Sequence, residues 1–178
     1  MIYQLNRSKI EGVVELIPDL FYDERGGVVK IFSRDDYESL GLQCDFNETL
    51  ISKNTKRGTI RGFHFQREPY AQAKTLFAAS GAFTNIVLDL RENSDTYGQY
   101  DVFEINEKKS NILYVPKGLA NCYCIMEDNT TIIYNLTSKY MPGYAAGYRY
   151  DSINYRYPFD DPILSEKDLF LPKFKERL

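Results

Sequence analysis

Turn signals recur about every 8–12 residues along most of this chain, a spacing that points to an all-β sandwich or barrel. Gly81, Asn93-Ser94, Gly98, Lys108-Lys109, Pro116-Lys117-Gly118 and Asp128-Asn129 separate runs rich in Val, Ile, Thr, Tyr and Phe. Those residue types suit a pleated, half-buried surface. Strands are expected over 13–17, 28–32, 75–79, 82–90, 100–105, 112–115, 121–126 and 130–136, with the turn-rich Asp23-Glu24-Arg25-Gly26-Gly27 between the first two. Residues 33–41 read instead as a short helix, with Ser33 as N-cap, acids in the first turn and Gly41 as the stop. The expected architecture is an all-β jelly roll with a few short helices, its Tyr- and Pro-rich C-terminal third lying over the barrel.

The 178 residues suffice for one domain, 1–178, with its own core, and no linker, repeat or low-complexity stretch divides them. A net charge of −3 leaves no excess of Lys and Arg to displace counterions, so no nucleic-acid partner is expected. The opening Met-Ile-Tyr-Gln-Leu-Asn-Arg has no apolar signal region and no stretch is long enough to span a bilayer, so the reading is a cytoplasmic protein without a membrane partner. Cys44, Cys122 and Cys124 form neither an even framework nor a zinc pattern. The last two share one face of a strand and read as small core residues.

His64 is the single histidine. One imidazole cannot build a multi-histidine metal site, and no metal or cofactor is expected. It can take a proton near neutral pH, or it can be a structural residue at a strand edge. Lys74, ten residues on, starts an apolar run. It lies on the outer face, or it points inward, where an ammonium is costly unless it serves a ligand. Tyr134 shares a strand face with Ile132 and is a packing residue or a buried proton donor. Asp168 completes a capping box begun by Ser165, or does more. Arg25 and Arg61 can fork onto phosphates or form surface ion pairs.

Taken together, these residues occur in an order that resembles the dTDP-4-dehydrorhamnose 3,5-epimerase family over nearly the whole chain. Phe21-Tyr-Asp23-Glu-Arg25-Gly26 is similar to F-x-D-x-R-G, and Arg61-Gly62-Phe63-His64-Phe65-Gln66, followed by Gln72-Ala73-Lys74, to R-G-x-H-(Y/F)-Q. Leu88-Asp89-Leu90-Arg91 through Ser94, Thr96 and Gly98, the turn Pro116-Lys117-Gly118-Leu119-Ala120, the pair Tyr134 and Tyr140, and Leu164-Ser165-Glu166-Lys167-Asp168 match further motifs in order. The resemblance implies a cupin-type jelly roll, a double-stranded β-helix, acting without cofactor on a nucleotide-diphosphate-linked 4-keto-6-deoxy sugar, at C3, C5 or both. It implies His64 as base, Asp168 as its orienting carboxylate, Lys74 beside the sugar O4 and Tyr134 returning a proton from the opposite face. Arg25, Arg61, Tyr140, Lys167, Asn121, Phe21 and Gln66 would contact substrate, with Phe21 equally readable as a packing residue. A homodimer is implied, with an N-terminal strand joining the partner's sheet.

The departures cluster at recognition positions. Asn121 stands where the family has a second histidine, Lys30 where it has Glu, Thr49-Leu50-Ile51 where it has Gln-x-Asn, Ala145 for another Glu, and Tyr150 and Tyr157 for Trp. All four residues implied to handle protons or the enolate remain. Retained chemistry on an altered substrate is therefore expected, with the nucleotide and the carbon inverted left open. Two other readings stand beside it: a 3,4-ketoisomerase on the same scaffold, and a sugar-binding cupin without activity.

Overall fold

The computed structural model describes residues 3–175. Alternation along the strands produces two antiparallel sheets that face each other. One has six strands in the order β1 (Tyr3–Arg7), β2 (Val14–Pro18), β10 (Ile112–Val115), β7 (Lys74–Ser80), β12 (Thr130–Leu136), β5 (Glu48–Asn54). The other has five, in the order β13 (Ala145–Gly147), β6 (Ile60–Gln66), β11 (Leu119–Ile125), β8 (Ala82–Asp89), β9 (Tyr100–Asn106). The connection Gly81 carries the chain from β7 in one sheet to β8 in the other. This is the expected all-β jelly roll. No helix among the described residues is long and apolar enough to cross a membrane.

Strand parity sorts the side chains into three apolar layers. Along β11, Leu119, Tyr123 and Ile125 enter the central core with Leu76 and Ala78 of β7 and Ile132 of β12. Ala120, Cys122 and Cys124 point the other way, into an outer layer with Ile60, Phe63, Ile86 and Leu88. Both cysteines are fully buried free thiols on one strand face, as the sequence implied. The C-terminal tyrosines Tyr148, Tyr150, Tyr155 and Tyr157 cover this outer face together with Phe159 and Phe174. The outer face of the six-stranded sheet is closed by α1 (Arg34–Ser39) and its flanks, through Tyr37, Leu42 and Cys44.

Five strands were not anticipated: β1, β3 (Leu20–Asp23), β5, β6 and β13. The segment 20–29 forms a small hairpin, β3 paired with β4 (Gly26–Val29), which joins neither large sheet. The run expected as a strand over 28–32 therefore ends at Val29; Ile31 and Phe32 leave the strand to pack beside α1. Ser33 occupies the N-cap of α1 but makes no side-chain capping bond.

Candidate active site

Lys74 and Tyr134 follow the parity of the core residues Leu76 and Ile132, so both project from the six-stranded sheet toward the opposite one. Asn121 and Tyr123 follow the parity of Leu119 and Ile125 and project from the five-stranded sheet to meet them. Between the two walls lies a cleft of ≈ 520 Å³, lined by Arg61, His64, Lys74, Asn121, Tyr123 and Tyr134 with Leu50 to Lys53 of the edge strand β5. A second lobe of ≈ 200 Å³ shares His64 and Lys74 and extends to Tyr140, Lys167, Gln66 and Ala145.

Arg61 and His64 are three residues apart, and on a regular strand they would point to opposite faces. They reach the same cleft because β6 is bulged: Arg61 lies opposite Tyr123 while His64 lies opposite Asn121, so one extra residue sits on the β6 side. Gly62 occupies the bulge at φ +125°, and a Cβ there would stand 2.5 Å from the Asn121 carbonyl oxygen and 2.6 Å from Cys122 Cα. Only glycine combines that backbone conformation with that close approach.

The carboxylate partner of His64 arrives from the far end of the chain. An isolated parallel bridge, Thr59 with Ile163, ties the C-terminal segment alongside β6 and feeds it into α2 (Glu166–Leu169). The Ser165 hydroxyl caps this helix by accepting from the Asp168 backbone N–H at 3.2 Å. The Asp168 carboxylate is directed elsewhere: Oδ1 lies 2.7 Å from His64 Nε2, and Oδ2 accepts from the Gly62 N–H at 3.5 Å. The residue thus sits in the helix cap and pairs with the imidazole as well. Burial would raise the Asp168 pKa, but the His64 hydrogen bond, with Gly62 and Lys167 assisting, holds it below the usual carboxylate value. A charged carboxylate on Nε2 makes that nitrogen the N–H and leaves Nδ1 as the basic atom. The His64 side chain is 44% exposed, enough for a ligand to reach it.

Lys74 is buried, and no described residue pairs with its ammonium by hydrogen bond or ion pair. Burial alone pulls its pKa down from 10.5 to about 8. Such an ammonium, desolvated and uncompensated inside the protein, is poised to meet an anion. The Tyr134 phenol lies on the same wall and donates to the Tyr123 hydroxyl. Burial drives its pKa well above the ordinary value.

Of the remaining expected contacts, Asn121 lines the cleft and accepts from Asn85 Nδ2 at 2.9 Å, which leaves its own amide N–H groups as the donors on offer. Arg61 donates Nε to Asn54 at 3.1 Å and keeps its terminal nitrogens for the cleft. Tyr140 and Lys167 line the second lobe. Gln66 lines it too, but both amide hydrogens go to the Tyr70 and Lys139 carbonyls and Oε1 accepts from Met141 N–H. Its amide therefore clamps the loop that presents Tyr140. Phe21 and Arg25 are not brought to this cleft at all. They lie on the β3–β4 hairpin, where an exposed Arg25 pairs with Asp23 at 2.6 Å. Sequence reading missed Tyr123, Ser52 and Asn85, which belong to no motif used; strand parity with Asn121 was the signal that could have found Tyr123.

An imidazole backed by a buried carboxylate on one wall, facing an ammonium and a phenol on the other, can remove a proton beside a carbonyl, hold the enolate and return a proton from the far side. Among the described residues no cluster of His, Cys, Asp and Glu is grouped to hold a metal ion.

Comparison with known proteins places the chain among nucleotide-sugar epimerases by sequence and fold. The family model described as dTDP-4-dehydrorhamnose 3,5-epimerase matches residues 7–176. The dTDP-4-dehydrorhamnose 3,5-epimerase of Shigella flexneri is 31% identical over 171 residues, which cover 94% of each chain. The Bacillus anthracis dTDP-4-dehydrorhamnose 3,5-epimerase, solved with TDP and PPi bound, has a TM-score of 0.94 at 30% identity, covering 97% of this chain and 99% of that one. NovW, a 4-keto-6-deoxy sugar epimerase from the novobiocin gene cluster of Streptomyces spheroides, has a TM-score of 0.90 at 28% identity, covering 96% and 86%.

Proposed function

The chain belongs to the dTDP-4-dehydrorhamnose 3,5-epimerase family, and from that premise we propose that it is an epimerase of a nucleoside-diphosphate-linked 4-keto-6-deoxy sugar. The observation that carries the reading is the His64–Asp168 pair facing Lys74 and Tyr134 across one cleft. The 4-keto group acidifies the hydrogens on C3 and C5. His64 Nδ1 takes one of them, and the Asp168 carboxylate offsets the imidazolium that forms. Lys74 meets the negative charge growing on O4. His64 and Tyr134 stand on opposite sheets, so a proton from Tyr134 reaches the other face of the ring and inverts the carbon. Asn121 can hydrogen-bond a sugar hydroxyl but cannot carry a proton at neutral pH. Arg61, Lys167 and Tyr140 are the groups suited to the diphosphate and base.

Solvent deuterium incorporation into dTDP-, GDP-, CDP- and UDP-linked 4-keto-6-deoxy sugars tests this. Label is expected at C3, C5 or both, with inversion there. Migration of the ketone to C3 would replace the reading with a ketoisomerase, and absence of label across the panel would sink both.

The hairpin supports a second proposal, a homodimer. Phe21 is 66% exposed on an element outside both sheets, an arrangement that suits delivery of Phe21 and Arg25 to the cleft of a second copy. Light scattering is expected to return twice the chain mass, and Arg25→Ala to raise KM with little change in kcat. A monomer with full activity would reject the dimer.

A further inference from the structure

The Tyr134 phenol donates to Tyr123, and the contact does not end there. Tyr123 Oη lies 3.1 Å from Ser52 Oγ on β5. Ser52 Oγ in turn accepts from Asn54 Nδ2 at 3.2 Å, and Asn54 is the residue that receives Arg61 Nε. Tyr123 is buried in the core, while Ser52, on the edge strand, is partly exposed at the lip of the same cleft. Three hydroxyls thus run in a row from the buried phenol to solvent. A hydroxyl both donates and accepts, so such a row can reverse its direction.

A phenol that gives up its proton in this place leaves a phenolate in surroundings hostile to it. Burial raises the pKa of both Tyr134 and Tyr123; the bond to Tyr123 raises that of Tyr134 further, while the nearby Arg61 charge and the Ser52 hydroxyl work against the rise at both. Resting on the epimerase reading above, we propose that Tyr123, with Ser52, restores the proton that Tyr134 gives to the sugar carbon. The Tyr134 O–H breaks as the new C–H forms. Tyr123 then gives its proton to the Tyr134 oxygen, Ser52 gives its own to Tyr123, and Ser52 takes one from water. The proton that His64 removed returns to solvent, so one proton enters for each that leaves. Tyr123 acts through Tyr134 and is a positioning residue; it does not itself attack the substrate.

The test is Tyr123→Phe, which removes one oxygen and keeps the ring that packs against Phe83 at 5.9 Å. The variant is run in deuterated water on the substrate that the wild type turns over best. Removal of the proton by His64 should continue, while return from the Tyr134 side slows. The inversion rate is expected to fall about tenfold or more, and label appearing with retained configuration is expected to rise relative to inverted product. Ser52→Ala is expected to move the same ratio in the same direction. A wild-type ratio in Tyr123→Phe, or equal loss of exchange and inversion, would overturn the relay and leave the epimerase reading intact. A wild type that exchanges nothing would overturn the epimerase reading, and the relay with it.

Discussion

His64→Ala is expected to lower solvent exchange into the ketosugar by about 10²–10⁴-fold, the usual contribution of a positioned general base. Measurement is by deuterium uptake, wild type against variant, on the same substrate. The size of the effect follows from the composition of the site. No second imidazole exists in the chain, and the neighbour at the corresponding place on β11 is an amide, Asn121. Besides Arg61 and Lys53, the groups that line the cleft include Lys74, largely cationic below pH 8, and two phenols with raised pKa values. At neutral pH the phenols keep their protons, and Lys74, with a pKa of about 8, keeps most of its own and stands on the wall opposite His64. The fold should survive the change, because His64 is partly exposed and packs at the lip of the cleft. Exchange within tenfold of wild type would remove His64 as the base.

Lys74→Met is expected to do two things of opposite sign. The folded protein holds this ammonium at a pKa of about 8 against 10.5 in an unperturbed chain. At about 1.36 kcal/mol per pH unit, keeping it charged and buried costs about 3 kcal/mol. Below pH 8 both states carry the proton and the cost is fully present. Between pH 8 and 10.5 the unfolded state binds a proton that the folded state does not, so wild-type stability rises with pH. Above 10.5 the cost is gone. Methionine fills the same unbranched volume without a charge. At pH 7 the variant should therefore gain up to about 3 kcal/mol in denaturant unfolding, and the gain should vanish by about pH 10.5. Its turnover should fall about 10²–10³-fold, because a preorganised charge aimed at the forming enolate is missing. Wild-type activity should fall as pH rises through about 8, where Lys74 loses its proton. A variant that is less stable at pH 7, or that keeps turnover, would contradict this account. The tension is physical: an ammonium left without a partner weakens the fold and is for that reason available to an anion.

Asn121 and its neighbours bear on which substrate is used. The amide accepts from Asn85, and the edge strand opposite offers Leu50 and Ile51, 49% and 63% exposed, with Ile51 at a position where the family pattern has an amide. An apolar side chain in place of an amide removes a donor and an acceptor that a polar base edge would use, and a site shaped by such contacts discriminates strongly. None of these side chains hydrogen-bonds to the side chain of His64, Asp168 or Lys74.

Much of the chain could be read from residues within ten positions of one another. Alternation already put Cys122 and Cys124 on one strand face and Tyr134 on the face of Ile132, while it left open whether Lys74 points inward with Leu76, as it does in the fold. Turn glycines and paired polar residues marked where strands end, because those signals are local and steric. The motif residues His64, Lys74, Tyr134 and Asp168 were visible as letters in order. Their meeting was not. Strand β6, which carries His64, broke the alternation used to find strands, since Gly62 inserts a bulge whose purpose exists only against β11. Asp168 read as a helix cap, and its local geometry is that of a cap; its carboxylate finds His64, 104 residues away, through the bridge beside β6. Tyr123 and Tyr134 carry no shared sequence signal, yet they meet because their strands lie in opposite sheets. Local periodicity decides which face a side chain takes. Which faces confront one another depends on how two sheets share a core, and that is settled by the packing of the whole chain.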